Sequence, residues 1–320
     1  MIWFFAISIV CGLVPESVAH DRPIIGVLVQ EISRVSELLD PKQFDSFIPA
    51  SYVKWLESGG ARVVPIFSGE EFSYYEKMLS KVNGVLLPGG SVDKNDRGEY
   101  TEAAESILNI AIEMNLKKDF FPVFGVGLGM DFMLYMSSDG EVITSNCIFD
   151  SVAASLILSK KDTKQTALYN SSSDHLKNLM TKHPVAVLNA RKCVLKEYFQ
   201  NSRLVHQWIP FSWNLDQTGR MFLSAVEHDH LPFYGTLFHS EKIPFEWAEH
   251  TNYPHTLATI EVSQYFGNFF VNEARKSMHA FTSREELNEM LIQNFNPVFT
   301  SKYGSNYFQS YLFNHSLREI

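Results

Sequence analysis

The chain has 320 residues, 45% hydrophobic, 13% aromatic and 20% charged, enough apolar material for a large globular core. A formal net charge of −9 disfavours a nucleic-acid partner, and three cysteines are too few for a disulfide-framework fold.

Met1 to Ala19 holds an apolar run from Ile2 to Val14 and ends in Ser17-Val18-Ala19, a small-x-small cleavage pattern. It reads as a signal peptide, although its start lacks the usual Lys or Arg. The alternative is an N-terminal anchor, but the run is shorter than the ~20 apolar residues that a membrane span needs. No later stretch is long and apolar enough to span. The mature chain, from residue 20 to residue 320, is therefore expected as one soluble domain, secreted or held in a lysosome or vacuole. Two N-glycosylation sequons agree, Asn170-Ser171-Ser172 and Asn314-His315-Ser316. Of the cysteines, Cys11 leaves with the signal, and Cys147 and Cys193 either form one disulfide or stay free.

The mature chain begins with Pro23 to Gln30, an apolar β-branched run of the kind found in buried parallel strands. Ala50 to Glu57 reads as a helix stopped by Gly59-Gly60, followed by a strand over Ala61 to Ile66. A helix from Tyr74 to Lys81, a strand from Gly84 to Leu87 ending in Pro88-Gly89-Gly90-Ser91, and a long helix around Thr101 to Asn115 continue the alternation. Such alternation builds an open, mostly parallel sheet with helices on both faces, whose sites lie at the C-terminal strand ends.

The next strand runs through Phe120 to Val126 into Gly127-Leu128-Gly129 and an amphipathic helix. Strand, sharp turn and helix is the geometry of a nucleophile elbow, where Gly-x-nucleophile-x-Gly raises one reactive side chain above the sheet edge. Here the middle position is Gly127, which has no side chain. A dinucleotide fingerprint is disfavoured, because the sixth residue counted from Gly125 is Met130 and the motif lies mid-chain. A purely structural glycine turn stays open on this stretch alone.

Between Cys147 and Thr218 the pattern is weaker, and the segment reads as the far side of the same sheet. Met221 to Val226 and Pro232 to Phe238 are strand-like, and Val262 to Met278 is a long helix whose aromatics at helical spacing are core residues. His239 closes the second of these strands. In extended chain residues i and i+2 point the same way, which places Glu241 beside its imidazole as an orienting carboxylate. A chance surface pair is the competing explanation. His228-Asp229-His230 is a His-x-His pair, but no third ligand has metal-site spacing.

Taken together, the blocks 23–28 with Gln30-Glu31, 50–59, 61–65, Leu87 to Val92, Tyr234-Gly235, His239 with Glu241-Lys242, Glu246-Trp247 and 269–276 resemble the folate γ-glutamyl hydrolases. These belong to the class I glutamine amidotransferase-like superfamily, and the resemblance covers nearly all of the mature chain. It implies a flavodoxin-like α/β fold with a nucleophile elbow, a cysteine thiolate nucleophile with a His base and a Glu partner, and cleavage of γ-linked glutamates from folate polyglutamates. It also implies a homodimer, and no cofactor or metal.

Position by position, the family's cysteine falls on Gly127. His239 and Glu241 match the base and its partner, while the amides of Leu128 and of Gly89-Gly90 match the oxyanion hole. Asp131 stands where Glu is usual, and Arg191 where His is expected. Neither Cys147 nor Cys193 has a strand-turn-helix context that would let it replace the missing thiol. Two function classes follow: a hydrolase that has lost its catalysis and still binds γ-glutamyl ligands, or a secreted interaction protein that kept only the fold.

Overall fold

The computed structural model describes residues 21–32, 44–90, 98–141, 143–147, 149, 153–159, 166–249 and 251–314. The expected signal peptide, Ser91 and the Ser316 of the second sequon lie outside the described residues.

The main sheet has eight strands. They are β1 (Ile24–Leu28), β2 (Arg62–Ile66), β3 (Gly84–Leu87), β4 (Val123–Val126), β5 (Ile157–Leu158), β6 (Trp208–Leu215), β7 (Met221–His228) and β8 (Phe233–Thr236). Their order is β2-β1-β3-β4-β8-β7-β6-β5. The first five are mutually parallel, and β8-β7-β6-β5 pair antiparallel. Every residue of β1, β3, β4 and β8 is buried, as a sheet covered on both faces requires.

Helices α1 (Ala50–Ser58) and α6 (Leu257–Ala274) pack together against one face, joined by the short α5 (Lys242–Phe245). Helices α2 (Phe72–Leu79), α3 (Glu99–Leu116) and α4 (Leu128–Ser137) form the other group. The open, mostly parallel α/β sheet expected from the alternation is therefore present. One buried cluster runs through it from Ile24 to Phe313.

Three local differences from the sequence reading have physical causes. The Pro23 to Gln30 run is split, because Gln30–Glu31 leaves the main sheet to pair with Ser46–Pro49, itself paired with Ser310–Phe313. Helix α6 starts five residues before Val262 and stops before Met278. Thr256 accepts the Thr259 amide while Thr259 Oγ1 accepts the Thr256 amide, so a reciprocal cap fixes the earlier start. The weak middle region contributes β5 and β6 to the sheet's far edge, as expected, but also makes two small ribbons, Ala153–Ala154 with Ala186–Val187 and Ser145–Asn146 with Lys192–Cys193.

Cys147 and Cys193 are joined by a disulfide, with Cα atoms 5.8 Å apart and a sequence separation of 46. Both are buried. The bond ties the chain that leaves α4 to the segment that passes His239, whose amide donates to Val187 O at 2.9 Å. Replacing both cysteines by serine is expected to lower unfolding free energy by about 2–4 kcal/mol, since the unfolded chain regains the freedom of a long closed loop. Urea unfolding of the oxidised protein and the double variant measures this; equal midpoints would contradict it.

Candidate active site

The elbow forms where β4 meets α4. Gly127 is the residue before the helix and has φ +53° and ψ −110°, a left-handed conformation that opposes any side chain. The flanking glycines answer to close approach instead. A Cβ on Gly129 would fall onto the carbonyl of Leu87, and one on Gly125 would lie 2.6 Å from the backbone of Gly129 and Met130. Helix α4 can thus press directly on β3 and β4, which aims its N-terminus, and the positive end of its dipole, at the sheet's C-terminal edge.

His239 faces this point from the end of β8. A Cβ built on Gly127 would stand 3.3 Å from both Cε1 and Nε2 of His239 and 3.4 Å from the Cα of Gly89. On its other side the imidazole Nδ1 donates to Glu241 Oε1 at 2.8 Å. A carboxylate there fixes the proton on Nδ1 and leaves Nε2, the nitrogen facing position 127, free to accept one. His239 is 5% exposed and Glu241 fully buried, which makes the pair a desolvated base and not a chance surface contact.

The pairing of His239 with Glu241 is as expected, but its geometry is not. Strand β8 ends at Thr236, His239 lies three residues beyond it, and Glu241 has helical dihedrals at the start of α5 (φ −63°, ψ −24°). A turn, not an extended i and i+2 alternation, brings the carboxylate to the ring.

Leu128 heads α4, and its side chain lies against Gly90, so the two residues share one edge of the site. Among the described residues neither the Leu128 nor the Gly90 amide donates to a backbone carbonyl. The Gly89 amide differs from expectation. It donates to Tyr52 Oη at 2.8 Å, while the Gly89 carbonyl accepts from Gln30 Nε2 at 2.7 Å. With its N–H already engaged, Gly89 shapes the turn. Asp131 sits half-buried one helical turn from the elbow, its amide bonded to Gly127 O at 3.0 Å. Arg191 is exposed, and its carbonyl accepts the Cys147 amide at 3.1 Å. The His228-Asp229-His230 pair is structural at its first member: His228 Nδ1 accepts the amides of His230 and Leu231, and burial pulls its imidazole down to about 4.

Two buried polar residues at the site carried no assigned role in the sequence reading. Tyr52, in the first turn of α1, bridges the Gly89 turn and the base, its hydroxyl 3.5 Å from His239 Nδ1. Gln30 holds the same turn from below. Their signal was a polar residue on an otherwise wholly apolar face, which needs a buried partner. Beneath the base lie Lys242 and Glu246, both buried. Lys242 sits over the rings of Tyr253 and Tyr307, 5.9 and 5.6 Å from their centroids, and burial lowers its pKa. Glu246 accepts the Phe308 amide at 2.6 Å, and burial raises its carboxyl above the usual range.

A protein-family model described as Peptidase C26 matches residues 23–145. The gamma-glutamyl hydrolase of Bos taurus is 33% identical, over 93% of this chain and 92% of its own length. That of Homo sapiens is 32% identical over the same shares, and gamma-glutamyl hydrolase B of Dictyostelium discoideum is 30% identical over 98% of this chain and 89% of its own. The chain belongs to the gamma-glutamyl hydrolase family. The sheet and elbow described above agree with the class I glutamine amidotransferase-like architecture expected of this family.

In this gamma-glutamyl hydrolase relative the surroundings of His239 disfavour its charged form. Burial first, and the Lys242 ammonium second, push the His239 imidazole below its ordinary value, while Glu241 opposes them. Histidine NMR should therefore place the His239 midpoint below the ordinary imidazole value of about 6.5. Lys242→Gln should raise its midpoint and Glu241→Gln should lower it further; a midpoint above 6.5 in the unaltered protein would contradict this electrostatic account.

Proposed function

We propose that this chain is a γ-glutamyl hydrolase scaffold whose catalysis has been lost at one position, and that it binds folate poly-γ-glutamates without cleaving them. The observation that supports this most is the alignment of His239 Nε2 with the empty side-chain position of Gly127, 3.3 Å from where a Cβ would be. With a thiol there, Nε2 would accept its proton, the thiolate would attack the γ-carbonyl, and the Leu128 and Gly90 amides would meet the developing oxyanion. Without it, His239 can hold a proton from water but nothing forms the covalent intermediate. Loss of a nucleophile from such a unit costs about 10⁶ in turnover in a comparable hydrolase.

The site's surroundings belong to the same proposal. A lumenal or extracellular protein is supported by the Cys147–Cys193 disulfide, a bond that persists in oxidising compartments. No helix among the described residues is long and apolar enough to cross a membrane. Two sequons fit a glycoprotein, and a homodimer is the arrangement we expect from the family.

Purified protein should release no glutamate from a folate polyglutamate above background. Turnover at ordinary enzyme rates would overturn the proposal, and its loss on replacing Cys147 or Cys193 would locate another thiol. Gly127→Cys should recover measurable hydrolysis that vanishes again in Gly127→Cys/His239→Ala. Recovery should be incomplete, because a Cβ at 3.3 Å from His239 makes the ring give way. Misplacement by ~1 Å can cost ~10²-fold. If Gly127→Cys binds no folate polyglutamate by calorimetry, the non-enzymatic interaction protein is the better description.

A further inference from the structure

Away from the elbow, the outer face of α6 borders a cavity of about 360 Å³ that also touches helices Ala167–Ser171 and Asp174–Lys182. This is within the roughly 300–1,000 Å³ of small-ligand sites. Gln264, Asn268 and Asn272 line it at successive i+4 positions and are all exposed, so three carboxamides stand about 6 Å apart along the helix. Tyr265 and Phe269 form its apolar floor.

The cavity's acidic residues are already engaged. Glu261 pairs with His175 Nε2 at 3.1 Å, and Glu273 accepts from Tyr234 Oη at 3.0 Å and Lys276 Nζ at 2.5 Å. The open groups are therefore neutral: Gln264 and Asn268, and the amide nitrogen of Asn272, whose oxygen accepts from Arg275. Carboxamides that both donate and accept, set beside an aromatic surface, are suited to the hydroxyls and C–H faces of a sugar. They offer no charge to attract an ion.

The cavity also has a tethered candidate. Ser171, on its rim, is the middle residue of the sequon Asn170-Ser171-Ser172, and its hydroxyl lies 3.0 Å from Tyr265 Oη. Asn170, its neighbour in the chain, is exposed. In the folded chain Ser172 is buried, its hydroxyl donating to Tyr169 O at 2.8 Å, so a glycan would have to be attached before this segment folds. We propose that Asn170 carries an N-linked glycan whose first sugars lie in the α6 groove, against Gln264, Asn268 and Asn272. Attachment makes the contact intramolecular, with an effective concentration in the millimolar range, so weak sugar contacts are enough to hold it. The inference rests on the lumenal reading above, not on the loss of catalysis.

The test uses full-length protein secreted from eukaryotic cells. Peptide mass spectrometry should find Asn170 occupied. Under native conditions peptide N-glycosidase should release this glycan roughly tenfold more slowly from the unaltered protein than from Gln264→Ala/Asn268→Ala/Asn272→Ala. Asn170→Gln should lower Tm by about 2–4 °C, and the same substitution made in the groove variant should lower it no further. Asn268→Ala alone, at an exposed position, serves if the triple variant folds poorly. An unmodified Asn170 beside a modified Asn314 would overturn this proposal and leave the lumenal reading intact, while absence of sugar at both in a retained protein would overturn both. Occupancy with equal release rates and no groove-dependent Tm difference would show the glycan to be free in solvent and would also overturn it.

Discussion

The left-handed turn at Gly127 is the constraint on which the rest of the site depends. Strand β4 must pass into α4 without a connecting loop, and the only way to do so while pressing α4 onto β3 is to remove the side chains at 125 and 129 and to take φ +53° between them. That conformation strains any residue with a Cβ by roughly 1–3 kcal/mol. An enzyme tolerates the strain because it presents a nucleophile. With glycine at the position the turn is relaxed, and the fold holds His239 beside it.

Around this turn the polar groups form one connected set. Glu241 holds the Nδ1 proton of His239, Tyr52 links the base to the Gly89 amide, and Gln30 fixes the Gly89 carbonyl from the opposite side. Because these groups are buried, each depends on its partner; removing one leaves another unsatisfied, at about 1–3 kcal/mol. The frame is thus maintained by folding stability as well as by function.

Much of this was legible in the sequence, and for identifiable reasons. The βα alternation up to α4 showed as apolar runs because parallel strands are buried on both faces, and the elbow showed because its glycines have no substitute. The pairing of His239 with Glu241 was found, although through an extended geometry that the chain replaces with a turn into α5. The roles of Tyr52 and Gln30 were not assigned, since each depends on contacts across 37 and 59 positions that no local pattern records. The engagement of the Gly89 amide was missed for the same reason. The two ribbons between Ser145 and Cys193 escaped because two-residue strands carry no period.

The central claim is that the elbow, the helix N-terminus and His239 still form a site that would ionise a thiol. The most direct measurement is the pH dependence of iodoacetamide alkylation of Gly127→Cys, whose new thiol is the only unpaired one among the described residues. A midpoint well below the ordinary thiol value of about 8.5, moving up toward that value in Gly127→Cys/His239→Ala, is the expected result. A thiol that titrates at its ordinary value and is indifferent to His239 would contradict the claim.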